Sequence, residues 1–494
     1  MCGIVGITSS NERSTVREML ESLRHRGPDD TGIYRDEYSS LGHARLSIID
    51  LEGGKQPMGD DEGIKHVVFN GEIYNHRDLR QKIGEEHFGT DSDTEVLLHL
   101  AGGEQHPTDW VSQLDGMFAF ALAERDRITL ARDPLGIKPL YVGKRNDALV
   151  FGSEMKAMLV ACDEVSEFPP GHVYTTEMGL RSYFGLNPSS GVMTEADRAQ
   201  RGIRERLSKA VHKRLLADVP VGVFLSGGLD SSLIAALARR HKTPLDSFAV
   251  GTEESEDLVR SRQVAEFLRT RHHEHIYTVE EALRALPEVI YYLESFDCAL
   301  VRSAIPNFFL ARLASEHVKV ALSGEGADEL FAGYEYLKGI ERDSLQDELR
   351  NITLALHNTN LQRCDRMSMA HGLEVRVPFL DMDLVRYAFR IHTCLKQRGD
   401  DRTEKWILRR VAGEILPASI VWRKKAKFAI GSGLGDTLAR FAEQQIADDE
   451  FAREREIADG VSLRSKEELL YYRIFREQYP ADKLVPLIGR SRSV

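Results

Sequence analysis

A cysteine at position 2 is the first residue in this sequence with obvious chemistry, because removal of Met1 leaves the Cys2 thiol and a free α-amino group on one residue. The thiolate is the nucleophile and an ordinary thiol is mostly protonated near neutral pH. An α-amine with a pKa of about 8 is a base close enough to take that proton. The second signal is Ser226-Gly227-Gly228-Leu229-Asp230-Ser231-Ser232, which follows the apolar run Val221 to Leu225 and precedes a helical pattern over Leu233 to Arg240. Glycines there let backbone N–H groups approach an anion, and the helix adds the partial positive charge of its N-terminus. The GK[ST] ending of a Walker loop is absent, so the segment reads as a phosphate cradle in which transfer of a terminal phosphoryl group is not the obvious chemistry. The third signal, Ser323-Gly324-Glu325-Gly326-Ala327-Asp328-Glu329, follows the apolar run Val318 to Leu322 and places glycines and carboxylates at a strand's carboxyl end. Ligands collect at such ends in open α/β sheets, and carboxylates beside a triphosphate suit Mg2+, which prefers oxygen donors.

These residues need scaffolds of two kinds. From Cys2 to Phe184 the chain carries short strand-like runs, among them Cys2 to Thr8, His66 to Asn70, Phe118 to Ala123, Ile128 to Arg132 and Ala148 to Phe151. Turn signals such as Asp133-Pro134-Leu135-Gly136 separate them, which predicts stacked, mostly antiparallel sheets with some helices, an α+β domain over 1–184. Residues 185–200 are rich in Gly, Pro, Ser and polar side chains and read as a linker. Over 201–494, apolar runs alternate with longer helical patterns, which predicts an α/β domain built on a parallel sheet. Thr278 and Glu281 form a capping-box pattern ahead of an apolar-periodic segment that reaches Ser295.

A chain of 494 residues exceeds one ordinary core, in keeping with two domains. The formal net charge of −12 argues against a surface built for nucleic acid or anionic membrane, and no apolar stretch reaches the length of a membrane span. The five cysteines make no CxxC or other metal-ligand spacing, so a reducing compartment is expected. No basic start is followed by an apolar h-region, and the expected location is the cytoplasm.

Both glycine-rich segments, together with Glu374 to Asp381 (EVRVPFLD) and Trp422-Arg423-Lys424-Lys425, resemble the synthetase domain of glutamine-hydrolysing asparagine synthetases. The resemblance extends through the first half, in Met1 to Gly6 (MCGIVG), His25 to Asp29 (HRGPD), Gly42 to Asp50 (GHARLSIID), Phe69 to Asn75 (FNGEIYN) and Ser92 to Glu95 (SDTE). It implies an Ntn-hydrolase-like class II glutamine amidotransferase domain followed by a domain of ATP-pyrophosphatase type. Cys2 then attacks glutamine, with the Asn70 side chain and the Gly71 N–H as oxyanion donors. Arg45 pairs with glutamine's α-carboxylate, Asp93 holds its α-ammonium, and Leu46, Ser47, Ile48, Ile49 and Glu72 complete the pocket. In the second domain Leu225, Ser226, Gly227, Gly228, Asp230, Ser231, Ser232, Val250, Ser323, Gly324, Arg376 and Lys425 match ATP-contacting positions. Asp230 and Asp328 match Mg2+ ligands, Glu325 and Lys425 match catalytic positions, and Tyr334 matches a family position. The implied partners are glutamine, aspartate and ATP, with a homodimer as the assembly the family suggests.

One segment departs from the pattern. Many relatives carry two threonines before the arginine in the stretch aligned with Asp297 to Ser303, whereas this chain reads Asp297-Cys298-Ala299-Leu300-Val301-Arg302-Ser303. Replacing two hydroxyls by apolar side chains near the implied aspartate site leaves a different carboxylate acceptor as the alternative.

Overall fold

The structure is a computed structural model that describes residues 2–10, 12–102, 105–186, 192–423 and 437–492. In the first half, one antiparallel sheet has the order β10-β8-β9-β1-β3-β2 and a second has the order β12-β11-β7-β6-β5-β4. The first is built from β1 (Gly3–Ile7), β2 (Asp30–Arg35), β3 (Ser40–Arg45), β8 (Tyr141–Arg145), β9 (Ala148–Gly152) and β10 (Val165–Glu167). The second is built from β4 (Met58–Gly59), β5 (Lys65–Ile73), β6 (Gly116–Glu124), β7 (Arg127–Arg132), β11 (His172–Thr175) and β12 (Gly179–Ser182).

Alternation along β6 explains the layering. Ala119 and Ala121 join Ile4, Leu41, Val68 and Phe151 between the two sheets. Phe118 and Phe120 point the other way, into a cluster with Leu97 and Trp110. On the outer face of the first sheet lies α1 (Arg13–Ser22), whose buried Val16, Met19 and Leu20 fall at helical spacing and form one apolar stripe. It packs beside α2 (Met155–Ala161).

The second half is organised on a five-stranded sheet of order β15-β14-β13-β16-β17, with every pairing parallel. Its strands are β13 (Val221–Phe224), β14 (Asp246–Gly251), β15 (Arg271–Ile276), β16 (Val320–Leu322) and β17 (Glu374–Arg376). The chain runs outward from β13 to β15 and then returns to the other side of β13 as β16. That reversal is a topological switch point, where the loops leaving neighbouring carboxyl ends open a crevice. The helices used below are α3 (Leu229–Arg239), α4 (Val279–Leu293), α5 (Cys298–Ser315), α6 (Ala327–Phe331) and α7 (Asn360–Met369). The expected capping box opens α4: Thr278 Oγ1 accepts from the Glu281 N–H at 3.2 Å and Glu281 Oε2 accepts from the Thr278 N–H at 2.8 Å.

The stretch read as a linker is shorter in one respect. A helix spanning Ala196–Lys213 begins inside it, because Ala199, Ile203 and Leu207 supply a buried face that the polar composition of residues 196–200 conceals. Charged side chains dominate one buried part of the contact between the halves. Arg26 meets Glu154 and Asp365, while Glu294 meets Lys156 and Arg366. Removing one member of such a set strands its partner in a low-dielectric setting, at a cost of about 3–5 kcal/mol.

Candidate active sites

In the first half, Cys2 sits just before β1 and is buried. Asn70, fully buried on the neighbouring sheet, accepts from the Cys2 nitrogen through Oδ1 at 3.0 Å. Its Nδ2 has no hydrogen-bond partner. An orphaned buried donor beside a thiol is costly unless a ligand oxygen completes it, which is what a developing oxyanion does. The next residue approaches another strand so closely that a Cβ on Gly71 would lie 2.1 Å from the Met117 carbonyl oxygen, so only glycine fits.

The same cleft is lined by Cys2, Arg45, Leu46, Ile48, Ile49, Gly71, Glu72 and Asp93. Arg45 ends β3, and its guanidinium donates to the carbonyls of Leu51 at 2.9 Å and Asp50 at 2.7 Å, which fixes its plane. Asp93 accepts from the Ile73 N–H at 2.8 Å through Oδ2, and burial pushes its carboxyl up. A cationic group from a ligand would relieve that cost. Burial also pushes the Cys2 thiol above its ordinary value, so the resting residue is a thiol and needs a base. Ser47 and Asn70 are not part of the lining; the Ser47 backbone N–H donates to Asp29 Oδ2 at 2.8 Å, and Asn70 is held against the Cys2 nitrogen.

In the second half, the loops after β13 and β16 face one cavity of about 550 Å3. Leu225, Ser226, Gly228, Asp230, Ser231, Val250, Ser323, Gly324, Glu325, Asp328 and Tyr334 all line it. Gly227 has φ of +69°, and a Cβ there would lie 2.5 Å from the Arg260 backbone carbon. This turn delivers Gly228 as the cap residue of α3, so the helix N-terminus opens toward the cavity. Asp230 Oδ2 and Asp328 Oδ1 converge on Lys405 Nζ at 2.5 Å and 2.7 Å. Burial opposes the charge on that lysine, but the two carboxylates hold its pKa above the usual value. The same oxygens, from the first turns of α3 and α6, are the donor set a hard divalent cation takes in company with phosphates.

Glu325 is paired with Arg363 on α7. Next to it, Glu329 accepts from the Tyr334 hydroxyl at 2.5 Å and from Asn360 Nδ2 at 3.2 Å. Burial first, and then the Asp328 carboxylate, pushes Glu329 up to about 7.

Three expectations are corrected. Arg376 does not reach the cavity: it is completely buried between the halves, where it meets Glu374 at 2.5 Å, Glu72 at 3.1 Å and the carbonyls of Arg214 and Leu216. Its Nε and Nη1 donate to Glu374 and to the two carbonyls, while Nη2 approaches Glu72 without forming a hydrogen bond, and these contacts hold it under the glutaminase cleft. Ser232 is also completely buried, inside the first turn of α3, and Gly227 shapes the loop without lining the cavity. Lys425 lies outside the described residues. Conversely, Asn360, Arg363 and Lys405 line the cavity and were not singled out from the sequence. Arg363 offered only its charge as an advance signal; Asn360 is an uncharged first residue of α7 and Lys405 precedes the helix Trp406–Ala412, so neither offered a local one.

At the departing segment, Ala299 and Ser303 line the cavity, and Arg302 does so with its guanidinium engaged by Glu467. Leu300 is buried off the wall, with its N–H donating to Asp297 at the start of α5.

Comparisons with known proteins agree with this geometry. A family model described as glutamine amidotransferase domain matches residues 1–181, and one described as asparagine synthase matches residues 202–349 and 338–485. A probable glutamine-hydrolysing asparagine synthetase of Dictyostelium discoideum is 38% identical, covering 99% of this chain and 96% of its own. A maize glutamine-hydrolysing asparagine synthetase is 39% identical over 98% of this chain and 87% of its own. Asparagine synthetase B of Escherichia coli, also glutamine-hydrolysing, is 38% identical over 100% of this chain and 94% of its own.

Proposed function

The chain belongs to the glutamine-hydrolysing asparagine synthetases, and we propose how its two sites divide that family's chemistry. The reaction is ATP-dependent synthesis of asparagine with glutamine as the nitrogen donor. With Met1 removed, the Cys2 α-amine takes the thiol proton, and the thiolate adds to the side-chain amide carbon of glutamine. The Asn70 Nδ2 and the Gly71 N–H take the oxyanion. The carbon–nitrogen bond breaks, ammonia leaves with the transferred proton, and water cleaves the thioester to glutamate. Arg45 and Asp93 hold the two ends of the glutamine backbone. The observation that carries this reading is the buried Asn70 amide, bonded on one side to Cys2 and without a partner on the other.

In the larger cavity, the loop at 226–232 and the α3 N-terminus receive the phosphates of ATP. Bound Mg2+ supplies positive charge to the phosphate oxygens there, and Asp230 and Asp328 would hold it. Aspartate's side-chain carboxylate attacks the α phosphorus, pyrophosphate leaves, and ammonia then displaces AMP from the β-aspartyl adenylate. Glu325, held by Arg363, is placed to take the proton that ammonia loses in forming the amide. Lys405 joins it as a cation for the departing pyrophosphate. Carrying ammonia between two sites of one chain keeps it out of bulk water, where it would become ammonium.

The functional domains are taken as 1–184 and 201–494, with the helix Ala196–Lys213 already begun before the end of the segment 185–200 between them. Among the described residues no helix is long and apolar enough to cross a membrane. A cytoplasmic homodimer is the working assembly. Substituting Cys2→Ala tests the division: glutamine-dependent synthesis falls by at least about a thousandfold, while synthesis from ammonium salts persists. Survival of glutamine use in that variant would remove Cys2 from the mechanism.

A further inference from the structure

Cys2 precedes its strand, so its backbone is held by side chains at both ends. Asn70 takes the nitrogen, and the carbonyl oxygen accepts from Arg26 Nε at 3.0 Å. Arg26 is completely buried, and two carboxylates compete for its remaining edge. Glu154 makes one contact with Arg26, at 2.5 Å, and is shared with His25, Lys156 and Arg366. Asp365, which also lies 3.5 Å from Arg366 Nη1 and 3.9 Å from Lys138 Nζ, makes a two-point contact with Arg26, Nη1 to Oδ2 at 2.8 Å and Nη2 to Oδ1 at 3.2 Å. A two-point contact fixes the plane of a guanidinium, which a single contact does not. The plane in turn aims Nε at the Cys2 carbonyl.

Asp365 is not part of the first half. It lies on α7, the helix that presents Arg363 to Glu325 in the other cavity. We propose that Asp365 is a positioning residue of the glutaminase reaction, holding Arg26 against the Cys2 backbone from across the domain boundary. Neutralising it leaves Glu154 as the one charged partner of Arg26, so the plane of the guanidinium is less firmly fixed and the Sγ loses its register against Asn70 Nδ2. Displacements near 1 Å at a reacting atom cost on the order of a hundredfold in rate, and a partial loss of register costs less.

The inference rests on Cys2 being the nucleophile, and the test separates the two claims. Asp365→Asn is assayed in the full chain for glutamate release from glutamine and for ammonia-dependent asparagine synthesis. The expected result is a fall of about tenfold in the kcat of glutamine hydrolysis, with KM within about threefold and ammonia-dependent synthesis within about twofold. Lys319→Ala removes a cross-boundary ion pair to Asp29 that does not touch Arg26, and both activities stay at the wild-type level. If Asp365→Asn does not fold, Arg26→Lys, which loses the fork but keeps the charge, is expected to give the same split. Wild-type glutamine hydrolysis in a folded Asp365→Asn protein overturns the proposal, as does a parallel fall of both activities. Should Cys2→Ala still hydrolyse glutamine, the nucleophile assignment fails instead.

Discussion

Glu329 gives the nucleotide cavity a pH signature. Burial and the neighbouring Asp328 raise its carboxyl to about 7, against an ordinary value of 4.5, and Tyr334 donating to it does not reverse the shift. Between those values the folded protein keeps a proton that the unfolded chain has released. The associated stability is therefore complete below the unfolded value and is lost as pH rises through about 7. At about 1.4 kcal/mol per unit, the total is on the order of 3 kcal/mol. Glu329→Gln keeps the shape and cannot ionise, so urea denaturation from about pH 5 to 8 should find the variant gaining on the wild type as pH rises. A constant difference across that range would mean that Glu329 does not hold the proton.

The loop after β13 was readable from sequence because its shape is set locally. Ser226, Gly228, Asp230 and Ser231 face the cavity as their spacing before a helix implied, while Gly227 and Ser232 do not, Ser232 falling one helical position too far round. Gly227 acts through backbone shape, since φ of +69° and the Arg260 backbone leave no room for a Cβ. Gly227→Ala should lower ATP-dependent synthesis by at least about tenfold while glutamine hydrolysis stays near wild type, as coupled and uncoupled assays on one preparation would record. What sequence could not supply is the contribution of distant elements. Arg363 and Asn360 reach Glu325 and Glu329 from α7, and Lys405 bridges Asp230 and Asp328, although each is remote from those residues in the chain. No local spacing encodes such contacts. Arg376 is the reverse case, a residue in a recognisable motif whose partners lie between the domains.

At the scale of the whole chain, the order of antiparallel sheets followed by a parallel sheet was legible from short alternating runs in one half and apolar runs spaced by helices in the other. The buried charge at their junction was not, because Arg26, Glu154, Glu294, Asp365 and Arg366 look individually like surface residues. Assembled, they link the Cys2 carbonyl to α7. The departure at Ala299 and Leu300 leaves Ser303 as a hydroxyl on that cavity wall, and the acceptor remains aspartate by the family's chemistry. The central claim is that one chain couples glutamine hydrolysis to adenylation of aspartate. It is tested most directly by incubating the purified protein with amide-15N glutamine, aspartate, ATP and Mg2+ and measuring every product together. The account predicts 15N-asparagine, AMP and pyrophosphate in equal amounts, with at least as much glutamate. Formation of ADP and phosphate, or AMP production that requires a carboxylate other than aspartate, would contradict it.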